Sequence, residues 1–255
     1  MTEKTDYIGV FDSGVGGISV LRELIACMPN ERFLYFGDSA NAPYGTKPKE
    51  QIRQLALNNA KLLMDYNVKA IVVACNTATA MAIDLLRQTY PDTIIIGIEP
   101  AIKPAVRQFP QGTLAIMATP ATLQGEKLQR LMALHPHDRL LKIPAPGMVE
   151  LVEAGLSDSP QMDDFLHNLL DPYVGKLDGL VLGCTHYPFA VQSIRRVLGA
   201  GTVLFDGGAG TARETRRRLA EKDLLSDGKG EVRILNSSAD SSILQLCNTL
   251  LTEDL

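Results

Sequence analysis

Short, continuous apolar runs alternate along the chain with longer segments in which apolar residues recur at helical spacing. The runs are Ile8–Asp12, Arg32–Gly37, Ala70–Ala74, Thr93–Ile98, Thr113–Ala118, Leu140–Ile143, Gly179–Leu182, Val203–Phe205 and Val232–Leu235. Because most are unbroken rather than alternating, they predict strands covered on both faces, the burial expected of a parallel sheet. Helices are predicted at Ile18–Cys27, Pro48–Asp65, Ala78–Gln88, Leu123–Leu134, Met162–Leu170, Phe189–Leu198 and Ala212–Ala220. Strands and helices in this alternation make the fold class α/β, doubly wound.

Pro100, Pro104 and Pro110 break the rhythm across Glu99–Gln111 before a new strand begins at Thr113, and a second break lies at Asp206–Gly210. Together they divide the chain into two domains: residues 1–98 with a returning segment 209–255, and residues 99–208. A self-similarity crosses that division. Ile71-Val72-Val73-Ala74-Cys75-Asn76-Thr77 can be laid on Leu180-Val181-Leu182-Gly183-Cys184-Thr185-His186, and both copies fall where a strand passes into a helix. The second copy runs on to Tyr187 and Pro188, with the proline placed to begin a helix. Each cysteine is thus expected at a carboxyl edge of a sheet, where open α/β folds bind ligands. If the domains face each other, the two thiols meet across one cleft.

Composition narrows what that cleft can serve. The 255 residues are 45% apolar and 21% charged, the make-up of a soluble globular protein. With a net charge of -4 and only the interrupted cluster Arg213–Arg218, a solvated helix face, the chain lacks the footprint of a nucleic-acid binder. The polar segment Met1–Tyr7 has no apolar signal core, and no run reaches the ~18 to 20 apolar residues of a membrane helix, so a cytoplasmic protein is expected. The cysteines at 27, 75, 184 and 247 form no Cys-x-x-Cys pair and are expected as free thiols. Cys27 and Cys247, with no polar motif beside them, read as small buried hydrophobes.

Two thiols on opposite sides of a ligand suit inversion of a carbon stereocentre. One base removes the proton from one face, and an acid returns another from the opposite face. A thiol with an ordinary pKa of about 8.5 can take either role near neutrality. Asn76, Thr77, Thr185 and the free N–H groups of the following helix starts suit a carboxylate. His186 is placed either to donate to that carboxylate or to raise the thiolate fraction of Cys184; Asp12 either to orient Cys75 or to pair with a substrate ammonium. His135, His137 and His167 default to solvent or packing roles. The loop Gly14-Val15-Gly16-Gly17 lacks the third glycine of a dinucleotide fingerprint, since Ser19 stands in its place, and a tight turn accounts for it.

These motifs resemble the cofactor-independent glutamate racemases of the aspartate/glutamate racemase superfamily. The resemblance is carried by Gly9-Val10-Phe11-Asp12-Ser13-Gly14-Val15-Gly16-Gly17, Gly37-Asp38-Ser39 with Pro43-Tyr44-Gly45-Thr46, Ala74-Cys75-Asn76-Thr77-Ala78 and Leu182-Gly183-Cys184-Thr185-His186-Tyr187-Pro188, in the family's order. It implies two α/β domains related by pseudo-twofold symmetry, a site between them, and a carboxy-terminal segment returning to the first domain. It also implies Cys75 and Cys184 as the acid/base pair, assisted by Asp12 and His186. Substrate contacts would be Asp12, Ser13, Pro43, Tyr44, Gly45, Asn76, Thr77, Thr119, Thr122, Thr185 and His186. No cofactor and no metal are implied, the substrate is glutamate, the product feeds peptidoglycan synthesis, and members are often homodimers.

The chain departs from the family pattern at Gly125 and Leu128, at Ala145-Pro146-Gly147 and at Asp206-Gly207-Gly208, all flanking the expected pocket. Asp206 reads as a helix-capping or hinge residue. Competing readings are zinc held by Cys75, Cys184 and His186, a binding protein for an acidic amino acid, and a racemase of aspartate or of a broader set of amino acids.

Overall fold

The computed structural model describes residues 7–252. The segment ahead of Tyr7, read above for targeting, lies outside them. The strands are β1 (Tyr7–Asp12), β2 (Arg32–Gly37), β3 (Ala70–Val73), β4 (Ile94–Gly97), β5 (Leu114–Ala118), β6 (Leu140–Pro144), β7 (Gly179–Leu182), β8 (Val203–Asp206) and β9 (Glu231–Asn236). The helices are α1 (Ile18–Cys27), α2 (Lys49–Asp65), α3 (Asn76–Thr89), α4 (Ile102–Gln108), α5 (Pro120–Gln124), α6 (Glu126–Leu134), α7 (Met148–Glu153), α8 (Pro160–Leu170), α9 (Val191–Leu198), α10 (Gly208–Ala220) and α11 (Ser241–Thr252). Every predicted strand is present to within a residue or so at its ends.

The strands form two parallel sheets, ordered β4-β3-β1-β2-β9 and β6-β5-β7-β8. Counted from its own first strand, each sheet has the same core order, β4-β3-β1-β2 and β8-β7-β5-β6. The registers agree too. Phe11 lies opposite Val73 in the first sheet and Met117 opposite Leu182 in the second. Ala74 N–H then donates to Phe11 O, and Gly183 N–H to Met117 O, both at 2.8 Å. The next residue is Cys75 in one sheet and Cys184 in the other, so the sequence similarity corresponds to one position in a repeated topology.

The apolar runs behave as two-sided burial requires: all four residues of β3 and of β7 are buried. The chain returns after β8. α10 packs on α1, β9 adds a parallel edge strand beside β2, and α11 also packs on α1. One apolar cluster runs through both sheets, joining Val15, Ile18, Tyr35 and Cys247 to Met148, Val152, Leu182 and Tyr187.

Sequence periodicity misses α4, α7 and α11. Pro104 falls at the third residue of α4, in the first turn, where its missing N–H breaks no helical bond, so a proline taken as a break sits inside a helix. The predicted helix Leu123–Leu134 is two helices, α5 and α6, parted at Gly125. A Cβ on Gly125 would lie 3.2 Å from Ala80 Cβ, so the break lets this turn press on α3. Leu128 of α6 is buried in a separate core beneath it. Asp206 ends β8 one residue ahead of the Gly207 N-cap, and its Oδ1 accepts from Gly208 N–H, the first residue of α10, at 2.7 Å.

Candidate active site

Four strand ends converge. β1 delivers Asp12 and Ser13, β3 delivers Cys75, β5 delivers Thr119, and β7 delivers Cys184, Thr185 and His186. All seven are buried. Cys75 is the N-cap of α3: Ala78 N–H donates to its sulfur at 3.4 Å, and its S–H reaches Ser13 Oγ at 3.5 Å. Burial pushes the Cys75 thiol up to about 12; Asp12 and Cys184 push the same way, against the Ser13 and Ala78 hydrogen bonds.

Cys184 has different company. Its sulfur lies 3.7 Å from His186 Nδ1, and His186 Nε2 lies 2.7 Å from Glu153 Oε1 at the end of α7. Both ring nitrogens therefore face an acceptor, the arrangement that suits an imidazolium. Burial by itself would lower the imidazole pKa, but Cys184 and Glu153 outweigh it and hold it well above its usual value.

Asp12 binds the two domains to each other. Gly14 N–H donates to its Oδ1 at 2.9 Å and Thr185 Oγ1–H to its Oδ2 at 3.0 Å. Burial raises its pKa, opposed by His186, Gly14 N–H and Thr185. Ser19 of α1 adds a second link, donating to Thr185 O at 2.8 Å. Thr77, Thr119 and Thr122 form a closed ring of hydroxyls at 3.0 to 3.1 Å. Asn76 is buried with its Oδ1 unpartnered, so one polar atom beside Cys75 is uncommitted.

Pro43, Tyr44 and Gly45 approach from the five-stranded side. A Cβ on Gly45 would lie 2.8 Å from Thr119 Cβ, so this turn presses directly on the threonine ring. The Tyr44 hydroxyl is committed elsewhere, donating to Asp38 Oδ2 at 2.6 Å and accepting from Asn59 Nδ2 at 2.9 Å. Backbone and ring are what residues 43–45 can present to a ligand. Cavities of about 300 and 790 Å³ elsewhere on the molecule contain neither Cys75 nor Cys184.

Sequence reasoning missed Glu153. Nothing in Met148–Glu153 marks it except an acid ending a short apolar run soon after a predicted strand. The glycine loop also gains a different explanation. Gly14 and Gly16 are not in the left-handed region that favours glycine. A Cβ on Gly14 would lie 1.8 Å from Glu153 Oε1, and one on Gly16 would lie 2.3 Å from His186 Nδ1. Close approach by the other domain, rather than the turn itself, requires glycine there.

Among the described residues no group of three or more His, Cys, Asp and Glu side chains is placed to hold a metal ion. Nor, among them, is any helix long and apolar enough to cross a membrane.

The Asp/Glu/Hydantoin racemase family matches residues 8–215. A glutamate racemase of Clostridium perfringens is 45% identical over 252 residues, covering 97% of each chain. The crystal structure of glutamate racemase isoform RacE1 from Bacillus anthracis superposes with a TM-score of 0.88 at 30% identity, covering 99% of this chain and 96% of that one. The glutamate racemase of Francisella tularensis in complex with D-glutamate superposes with a TM-score of 0.83 at 31% identity, covering 97% and 94%. The chain belongs to the Asp/Glu/hydantoin racemase family, among its glutamate racemases.

Proposed function

We propose that the protein interconverts L- and D-glutamate by proton transfer at Cα between Cys75 and Cys184, without a cofactor. The observation that carries this is two buried sulfurs at equivalent register positions of two sheets, one beside Ser13 and a helix start, the other beside His186, which Glu153 holds. With Cys75 pushed up to about 12 it is a thiol at neutral pH, suited to giving a proton. His186 beside the Cys184 sulfur suits that residue to the complementary role, taking one.

Glutamate as the substrate is supported by the Clostridium relative's activity and by D-glutamate in the Francisella complex. Thr77, Thr185, Asn76 and the α3 amino terminus are suited to hold its carboxylates, which gain charge as the Cα proton leaves. The buried position of both sulfurs requires the domains, taken as residues 1–98 with 209–255 and 99–208, to part for substrate. D-glutamate made this way would supply peptidoglycan synthesis, and we expect a homodimer in the cytoplasm.

Incubation with L-glutamate and, separately, L-aspartate without added cofactor, followed by optical rotation, tests this. Rotation falling to zero with glutamate alone is the expected result. Racemisation of aspartate at an equal or greater rate would move the substrate assignment, and binding without turnover would make the protein a receptor.

A further inference from the structure

Glu153 ends α7 in the domain of the four-stranded sheet, but most of what it touches lies across the cleft. Its Oε1 accepts from Val15 N–H at 2.8 Å, in the loop after β1, and its Oε2 lies 3.4 Å from Ser39 Oγ, after β2. Within its own domain, among the described residues, its side chain is hydrogen-bonded to His186 alone, at 2.7 Å. The carboxylate is largely buried, with 15% of the side chain exposed. Gly14 and Gly16 are bare where Glu153 and His186 rest against them.

We propose that Glu153 is a positioning residue that makes protonation of His186, the ring beside Cys184, depend on closure of the two domains. The proposal rests on the two-cysteine reading and adds to it a control on when a cation stands beside the second sulfur.

The physical reason is dielectric and geometric. In the closed form the Glu153–His186 pair is dry, and the lone pairs that His186 leaves free on the carboxylate are met by Val15 N–H and Ser39 O–H, which is what a buried ion pair requires to be stable. Parting the domains takes both donors away and admits water to the carboxylate, so its hold on the imidazolium weakens. His186 then relaxes toward ordinary behaviour, and Cys184 loses its cationic neighbour. The imidazolium is thus held beside Cys184 only when the site is shut.

Other titratable groups face the pair without replacing it. Asp12 of β1 senses both partners and is held by Gly14 and Thr185. Tyr35 of β2 and Cys247 of α11 sense Glu153, and burial raises both, Cys247 to about 12, leaving them neutral near pH 7. Tyr187 senses Cys184 and is likewise raised by burial. Among the described residues, Glu153 is the one carboxylate hydrogen-bonded to the ring.

The test is direct titration of the four histidines by NMR in protein labelled at histidine, with and without a saturating equilibrium mixture of the glutamate enantiomers. In the wild type the His186 midpoint is expected to rise by about one pH unit or more on adding glutamate. In Glu153→Gln it is expected to be lower throughout and insensitive to glutamate, with kcat down on the order of 10- to 100-fold. kcat/KM then falls equally from either enantiomer, as an equilibrium constant of one requires. Should Glu153→Gln fail to fold, Glu153→Asp keeps the charge on a shorter arm and is expected to give a smaller rise.

A purely structural Glu153 would lower stability and leave the His186 midpoint and its glutamate response alone, which would overturn the proposal. Glutamate that perturbs the other resonances but not His186 would do the same. Full racemisation in a cysteine variant would instead remove the two-cysteine reading while leaving the His186 titration as an independent result.

Discussion

The halves of the site that carry Cys75 and Cys184 share a scaffold and differ in surroundings. Both cysteines lie two residues past a register pair that is equivalent in the two sheets, Phe11 with Val73 and Met117 with Leu182. Beyond that point the chains diverge. Cys75 opens directly into the long helix α3, and its sulfur touches a hydroxyl and an amide. Cys184 opens into a short 3₁₀ turn, Tyr187–Ala190, and the extra residues bring an imidazole to its sulfur and a carboxylate behind that. Repetition places two like groups at equivalent sheet positions, and local sequence gives them unlike neighbours. A two-base reaction at a stereocentre, as proposed above, would draw on both features.

Removing either sulfur breaks this comparison most completely. Cys75→Ser and Cys184→Ser are each expected to lower racemisation on the order of 10³-fold or more, since a serine hydroxyl neither gives nor takes a Cα proton readily near neutral pH. Purified variants assayed by chiral chromatography report it. Loss in one variant only would mean that the halves are not partners.

A smaller effect is expected from Tyr44→Phe, which acts on the frame of the Cys75 half. The change leaves Asp38 Oδ2 without its 2.6 Å donor and Asn59 Nδ2 without its acceptor, costing about 1 to 3 kcal/mol. Denaturant unfolding measures it; an unchanged midpoint would show that water takes over both bonds.

An effect confined to alkaline pH, and absent near neutrality, reads Cys75 alone. Cys75 holds its proton more tightly folded than unfolded, so its contribution to stability is complete below its ordinary value near 9.0 and is lost as pH rises toward about 12. Cys75→Ser should flatten that part of the alkaline stability curve. A wild-type curve already flat there would place the Cys75 proton elsewhere.

Much of this was legible in sequence because burial leaves a linear trace. Two-sided burial writes unbroken apolar runs, and those located all nine strands found among the described residues. The repeated cysteine run located both thiols because the two runs occupy equivalent register positions of a repeated topology. What lay beyond reading were contacts between distant segments. Glu153 reaches Val15 across 138 positions, and only the folded chain brings them together. Gly14 and Gly16 of the β1–α1 loop were visible but misattributed, since a tight turn and a seat for another domain's side chain both ask for a missing Cβ. Short helices such as α4 and α7 escaped because six or seven residues hold too few turns to show a period.

The central claim is that two groups on opposite faces share the proton transfer, and early deuterium incorporation tests it most directly. L-glutamate in heavy water is stopped after about a tenth of it has converted, and both enantiomers are examined at Cα. Two bases predict that the D product carries solvent deuterium while recovered L substrate remains protiated, because the proton removed by one thiol is not the one delivered by the other. Product that retains the original protium, or substrate that gains deuterium as fast as product forms, would contradict the account.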